Sequence, residues 1–270
     1  MWNRLAQWWR RHRTSSLVIQ ESTWRAIETM LALTHHLDTA SRLRLRELAL
    51  TFLNSKQIHG AHDFEVTDTM RLSIALQACL PVLNLGIEWY DDWVGVIVYQ
   101  GDFLIPRQIT DDAGVVHEYL EPAQGEAWEG GPVLLAWQPE RDQRDGVNVV
   151  LHEFAHKLDM RDGMADGIPP LPRKIGHKRW QLVFQRAFEN FRSRLDLDDE
   201  ALPMDPYAAE HPAEFFAVAV ETFFGAPDWL FGDYPEVYEL LREFLGQDPL
   251  TGRIKNEECA TPGMMPIRGR

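Results

Sequence analysis

The stretch His152-Glu153-Phe154-Ala155-His156 constrains this chain more than any other. It lies within a run where Val147, Val150, Leu151, Phe154 and Leu158 recur at helical spacing, so the segment can bury one stripe against the body of a domain. On such a helix His152 and His156 sit one turn apart and project together, as two imidazoles must to share one tetrahedral zinc ion. Glu153 is rotated about 100° from His152 by the ~3.6-residue repeat, which lets its carboxylate reach a water on the metal instead of the metal itself. A chain of this composition meets H-E-x-x-H by accident in about 3% of cases, and the helical setting lowers that further. The motif is therefore read as a zinc site and not as two surface histidines.

A catalytic zinc needs a third protein ligand and an open position. Four residues compete. Asp162 lies six residues after His156, where H-E-x-x-H-x-x-G-x-x-H enzymes place a ligand, but Asp159 stands where those enzymes need glycine. His177 follows a Gly/Pro-rich break and has no helical context to fix it. Glu214 and Glu221 are seven residues apart on a helix expected to open at Pro212, so they share one face that a second helix can present to the first. Glu214, in the first turn, is preferred, leaving Glu221 to orient a histidine or to face solvent. Asp159 shares the metal face of the motif helix and is expected to accept a histidine N–H. Tyr207, seven residues before Glu214, could donate a hydrogen bond to a developing oxyanion.

Around this site the pattern is helical from Ser22 to about Leu85, with Pro81 ending or kinking the last apolar stretch. Trp93 to Ile105 turns β-branched and aromatic, and Gln100-Gly101-Asp102 suggests a hairpin turn. Val133 to Trp137 reads as a strand inside a Gly/Pro-punctuated region, and its edge could align a substrate backbone. Arg161 to Gly176 is too rich in glycine and proline for a regular element. Trp180 to Leu195 carries the clearest apolar helical stripe, and Pro212 and Pro235 open two further helices. The expected organisation is a basic, Trp-rich arm over residues 1–20, one domain over 21–250 and a loose tail over 251–270. In the arm, Trp2, Leu5, Ala6 and Trp9 fall on one helical face beside Arg4, Arg10, Arg11 and Arg13, a short amphipathic segment able to touch lipid or a protein.

The formal charge of −14 disfavours a nucleic-acid groove or a general anionic-membrane surface and leaves peptides, proteins or small molecules as partners. Two cysteines, Cys79 and Cys259, without C-x-x-C spacing, argue against a disulfide scaffold or a thiolate zinc site and fit a reducing cytoplasm. No run of ~18 apolar residues suggests a membrane span.

The residues from Gly146 to Asp159 (GVNVVLHEFAHKLD) and from Asp205 to Ala217 (DPYAAEHPAEFFA) resemble the Mlc titration factor A family of bacterial zinc metallopeptidases. The likeness extends over Pro81 to Trp89 and Gly130 to Trp137. It implies an α+β, predominantly helical zincin-like fold with a small mixed sheet, related to the catalytic domain of anthrax lethal factor, and aminopeptidase chemistry. Carried onto this chain, it makes His152, His156 and Glu214 the zinc ligands, Glu153 the general base and Tyr207 the oxyanion donor. It also implies that His117 fills the fourth metal position in a latent form. The family's named partner is Mlc, a glucose-responsive repressor.

The expected function is thus a cytoplasmic zinc aminopeptidase acting on peptides, with Glu210, Glu118 and Glu126 as candidate acids for the substrate's α-amino group. The alternative is a repressor-binding protein in which zinc is structural or acts as a latch.

Overall fold

A computed structural model of the chain describes residues 19–110, 114, 116–138, 147–199 and 201–251. The amphipathic stripe expected at Trp2 to Trp9, and the tail beyond Thr251, lie outside these residues.

Among the described residues three α-helices come first: α1 (Glu21–Met30), α2 (Thr39–Ser55) and α3 (Asp68–Cys79). Asp38 and Thr67 cap α2 and α3, accepting the Ser41 and Met70 amide protons at 2.8 and 3.2 Å, because the first amides of a helix have no partner within it. Between α2 and α3 the chain forms a short strand, β1 (Gln57–Gly60), where only helix was expected. Four residues following directly on a helix are too few to show a period of their own.

β1 starts a four-stranded sheet of order β1-β2-β6-β5, with β2 at Gly95–Tyr99, β5 at Gly125–Ala127 and β6 at Val133–Ala136. β1, β2 and β6 run parallel, and β5 pairs antiparallel with β6, Gly125 opposite Leu135 and Ala127 opposite Val133. The sheet is mixed, as expected. Two other expectations fail. Gln100 to Asp102 does not close a hairpin: both edges of β2 are already filled by β1 and β6, so the next strand, β3 (Phe103–Thr110), leaves the sheet and pairs with β4 (Val116–Ala123). Nor can Val133 to Trp137 supply a free edge, because β6 is internal and β5 is the terminal strand.

All four β6 residues are buried, which explains its unbroken apolar run. Val133 and Leu135 face the main core, while Leu134 and Ala136 meet Phe103 and Ile105 of the β3–β4 hairpin. Since side chains alternate along a strand, Gly125 and Ala127 share the core face and Glu126 the hairpin face. There Arg107 of β3 reaches Glu126 and Glu121 at 2.7 Å each, tying the hairpin to the edge of the sheet.

The motif segment forms α4 (Val149–Asp159) on the core face, packed against β5, β6, α3 and α6 (Pro212–Gly225). Phe154, wholly buried, anchors its rear face with ring centroids 5.3–5.7 Å from Phe52, Tyr90 and Trp93. Such burial stabilises by about 1.5–3 kcal/mol and sets the helix's rotation. Lys157 donates to the Trp128 and Gly131 carbonyls, fastening the β5–β6 turn to the same helix. The chain continues through α5 (His177–Asp196), α6, α7 (Pro227–Asp233) and α8 (Pro235–Leu245).

The Gly/Pro-rich segment between α4 and α5 acts as a brace. Buried Asp159 accepts the Gly167 amide at 2.8 Å, and the Gly167 carbonyl accepts the Trp180 indole N–H at 3.0 Å. Gly167 has φ +81°, and a Cβ there would lie 2.6 Å from the Pro212 carbonyl oxygen at the start of α6. Both the left-handed backbone and the close approach demand glycine. Gly167→Ala should destabilise the fold by ~1–3 kcal/mol, read as a lowered thermal midpoint. An unchanged midpoint would show that the loop does not brace α4 against α6.

Candidate metal centre

Helix α4 begins where Asn148 caps it. The Asn148 Oδ1 accepts the Leu151 amide at 2.8 Å, and its Nδ2 donates to Gln77 Oε1 of α3 at 2.6 Å. With that start fixed and Phe154 seated, His152 and His156 emerge on the face towards α6. Helix α6 opens at Pro212, and Glu214 in its first turn reaches between them.

The three side chains converge on one point. His152 Nε2 lies 3.0 Å from Glu214 Oε2, His156 Nε2 lies 3.1 Å from the same oxygen, and the two Nε2 atoms are 3.1 Å apart. Tetrahedral donors about 2.0–2.1 Å from an ion stand about 3.3–3.4 Å from one another, and all three edges lie within a few tenths of an ångström of this. Two ring nitrogens and a carboxylate oxygen are also the donor types zinc takes in open, three-ligand sites. Among the described residues this is the group of His, Cys, Asp or Glu side chains placed to hold an ion.

Glu221, on the same face of α6, is buried and takes the far side of His152. Its Oε1 is 2.6 Å from His152 Nδ1, and its other oxygen accepts the Asn148 amide. The contact orients the ring, places the proton on Nδ1 and leaves the Nε2 lone pair for the shared point. Burial pushes His152 towards neutrality, but the Glu221 and Glu214 carboxylates outweigh it and raise its pKa well above the usual value. Burial likewise raises Glu214, yet its hydrogen bonds to the two histidines hold it far below the usual carboxylate range. In the metal-free protein the carboxylates thus favour the charged form of His152, the positive charge that a bound cation would replace.

Glu153 is 4% exposed, and among the described residues its Oε2 has no hydrogen-bond partner. Burial raises its pKa to about 7, opposed by His152 and His156, which suits a proton acceptor working near neutrality. It lies in the wall of a cavity of about 330 Å³ with His152, Glu221 and Tyr207, closed on the hairpin side by Arg107 and Glu121. Tyr207 comes from the 3-10 turn Pro206–Ala209, held by the Asp205 carboxylate on its amide at 2.9 Å. Its ring centroid is 5.9 Å from that of His152. Burial, then the nearby Glu214 and Glu210 charges, raise the phenol's pKa, so Tyr207 keeps its proton as a donor.

The other sequence candidates fall elsewhere. Asp162 is exposed at the end of a 3-10 turn, and His177 is exposed, though it opens α5 and so does have helical context. His117 lies exposed on β4 opposite Ile109 and does not join the converging donors. The resemblance placed it through a segment whose position depends on the hairpin's pairing, which aligns residue types but not their reach. Of the acids considered for an α-amino group, Glu118 is on the hairpin's exposed face with Gln108, Glu210 lines a separate opening beyond Tyr207, and Glu126 is held by Arg107.

Asp159 does not accept a histidine N–H. Its Oδ2 takes the Gly167 amide, and its Oδ1 is buried without a hydrogen-bond partner among the described residues. Burial is the chief cause that raises its pKa to about 7, against the pull of the Gly167 amide and His156. The folded chain then binds this proton more tightly than the unfolded chain, so stability falls as pH rises from about 4 to about 7. Asp159→Asn should remove ~1–3 kcal/mol of that fall in the metal-free protein. Denaturant midpoints at pH 5 and pH 8 check this, and an undiminished fall would refute it.

Comparisons with known proteins agree with this geometry. The sequence model of the family described as glucose-regulated metallo-peptidase M90 matches residues 6–245. A protein named Mlc titration factor A from Escherichia fergusonii is 41% identical over 227 residues, covering 82% of this chain and 84% of that one. Proteins of the same name from Klebsiella pneumoniae, 38% identical over 226 residues, and Pectobacterium atrosepticum, 40% over 218, cover 82% and 79% of this chain and 84% and 81% of theirs. In each case the match takes in most of both chains. The chain described here belongs to the glucose-regulated metallo-peptidase M90 family.

Proposed function

We propose that this chain is a zinc-dependent peptidase, with His152, His156 and Glu214 holding the ion and Glu153 serving as general base. One observation carries the reading: a buried carboxylate with an unpartnered oxygen lies beside three converging donors in a cavity that also contains a protonated tyrosine. Zinc, when bound, supplies a water acidic enough to ionise near neutrality and polarises the scissile carbonyl. Glu153 accepts the proton of the attacking water and delivers it to the departing amine. Tyr207 donates its hydroxyl proton in a hydrogen bond to the carbonyl oxygen as negative charge gathers there. Glu221 holds the His152 ring in register throughout. The outer edge of β5 offers backbone donors and acceptors to an extended substrate, the role first considered for β6.

We further assign the activity to peptides with a free N-terminus. Supporting this, the Glu121 carboxylate lines the cavity beside Arg107, whose single guanidinium is already shared with Glu126 behind the wall, so the negative charge of the wall is only partly neutralised and favours a cationic α-amino group. A panel of matched free and N-acetylated fluorogenic peptides tests the reading with the zinc-loaded protein. Cleavage of the free series alone is expected. Equal cleavage of both would make the protein an endopeptidase, and cleavage of neither would overturn the peptidase assignment.

A second role follows from the printed name of the relatives. Binding of a repressor of the Mlc type is proposed, and titration of purified Mlc against the wild-type and zinc-stripped proteins tests it. Binding that survives zinc removal would separate this role from catalysis, and no binding in either form would refute it.

A further inference from the structure

We propose that Gly125 is a positioning residue for Glu153: a bare Cα at this point of the edge strand is what allows the carboxylate to lie against β5. The inference rests on the reading of Glu153 as general base.

A Cβ built on Gly125 would stand 2.2 Å from Glu153 Oε1 and 2.6 Å from both Cδ and Cγ. A Cβ makes no hydrogen bond and does not approach another heavy atom closer than about 3.0 Å, so the carboxyl group occupies the volume that any other residue at 125 would fill. The backbone itself does not ask for glycine. Gly125 is absent from the positive-φ positions, and it pairs in ordinary antiparallel register with Leu135. Two residues along the same face of β5, Ala127 carries a Cβ and packs on the core without conflict. The requirement is thus local to the single position opposite Glu153.

The consequence concerns aim. Glu153 is confined between its own helix on one side and β5 on the other, with His152 as its chain neighbour. A methyl group at 125 must move the carboxyl group by up to about 1 Å to restore ordinary contact, and its nearest atoms are all of Glu153 and none of His152, His156 or Glu214. Misplacement of about 1 Å can cost on the order of 10²-fold in rate.

The test uses the full chain. Gly125→Ala should lower kcat by about 10- to 100-fold with KM and zinc content unchanged, and it should add no further loss to Glu153→Gln. A readout independent of turnover is the thermal midpoint of the metal-free protein. The change caused by Gly125→Ala should differ between the wild-type and Glu153→Ala backgrounds, because the two side chains compete for one space. A Gly125→Ala protein with wild-type kcat beside an inactive Glu153→Gln, or an identical midpoint change in both backgrounds, overturns the proposal. If the wild type cleaves no peptide, the peptidase reading fails, and the midpoint cycle still decides whether Gly125 sets the place of Glu153.

Discussion

Glu153→Gln loses roughly 10²–10⁴ in turnover and keeps its zinc. The substitution preserves shape and removes only the ability to take up a proton. The three converging donors belong to His152, His156 and Glu214, so the ion's hold is unaffected. The neighbouring groups make the effect large. Burial raises the Glu153 carboxyl to about 7 in the metal-free protein, so its buried site favours uptake of a proton more than water does. Its Oε2 has no hydrogen-bond partner among the described residues, which leaves this oxygen free to take a water's proton. Metal analysis by mass spectrometry, run beside peptide hydrolysis, checks both halves of the expectation. Unchanged turnover would remove Glu153 from the mechanism, and loss of zinc would make it a ligand.

Glu221→Ala should lower zinc affinity by about 10–100-fold and destabilise the metal-free protein as well. Its carboxylate holds His152 Nδ1 and the Asn148 amide at once. Removing it leaves two buried donors without an acceptor, at about 1–3 kcal/mol each, and frees the imidazole to turn away from the shared point. Competition against a chelator measures the first effect and denaturant unfolding the second. Wild-type zinc affinity in Glu221→Ala would mean that packing alone orients His152. Glu221→Gln is the informative partner: it can accept from only one of the two donors through its single carbonyl oxygen, and it should fall between wild type and alanine.

These expectations differ in how much of them could be read from the linear chain. His152, Glu153 and His156 declare themselves within five residues, and Glu214 and Glu221 share a face because seven residues are close to two helical turns. Those relations are local, and helical geometry transmits them without help from the rest of the fold. Asp159 shows the limit of the method. It lies on the expected face of α4, yet its partner is the Gly167 amide, because the chain folds back from the Gly/Pro-rich segment and reaches Asp159 first. Spacing says where a side chain starts and not what arrives to meet it.

The strands were harder to read than the helices. β1 occupies four residues directly after a helix, too short to show a period, and the turn at Gln100 to Asp102 joins two strands of different sheets. The apolar run at β6 was legible as a strand, but its burial on both faces, and therefore its lack of a free edge, depends on β2, β5 and the hairpin lying around it. His117 was placed by resemblance, while the hairpin register sets it opposite Ile109 and outside the converging donors.

The sequence by itself determined the histidine pair and the carboxylate beside it, because His152, Glu153 and His156 lie within about one helical turn and a helix's rise and rotation are the same in any protein, whereas Glu214, 58 residues beyond His156, joins them only through the fold. Only the tertiary structure decided how that chemistry is aimed: which carboxylate turns His152, which glycine clears space for Glu153, and which strand presents an edge. Each of those contacts joins residues separated by dozens of positions, and their meeting is set by the packing of a common core and not by any interval along the chain.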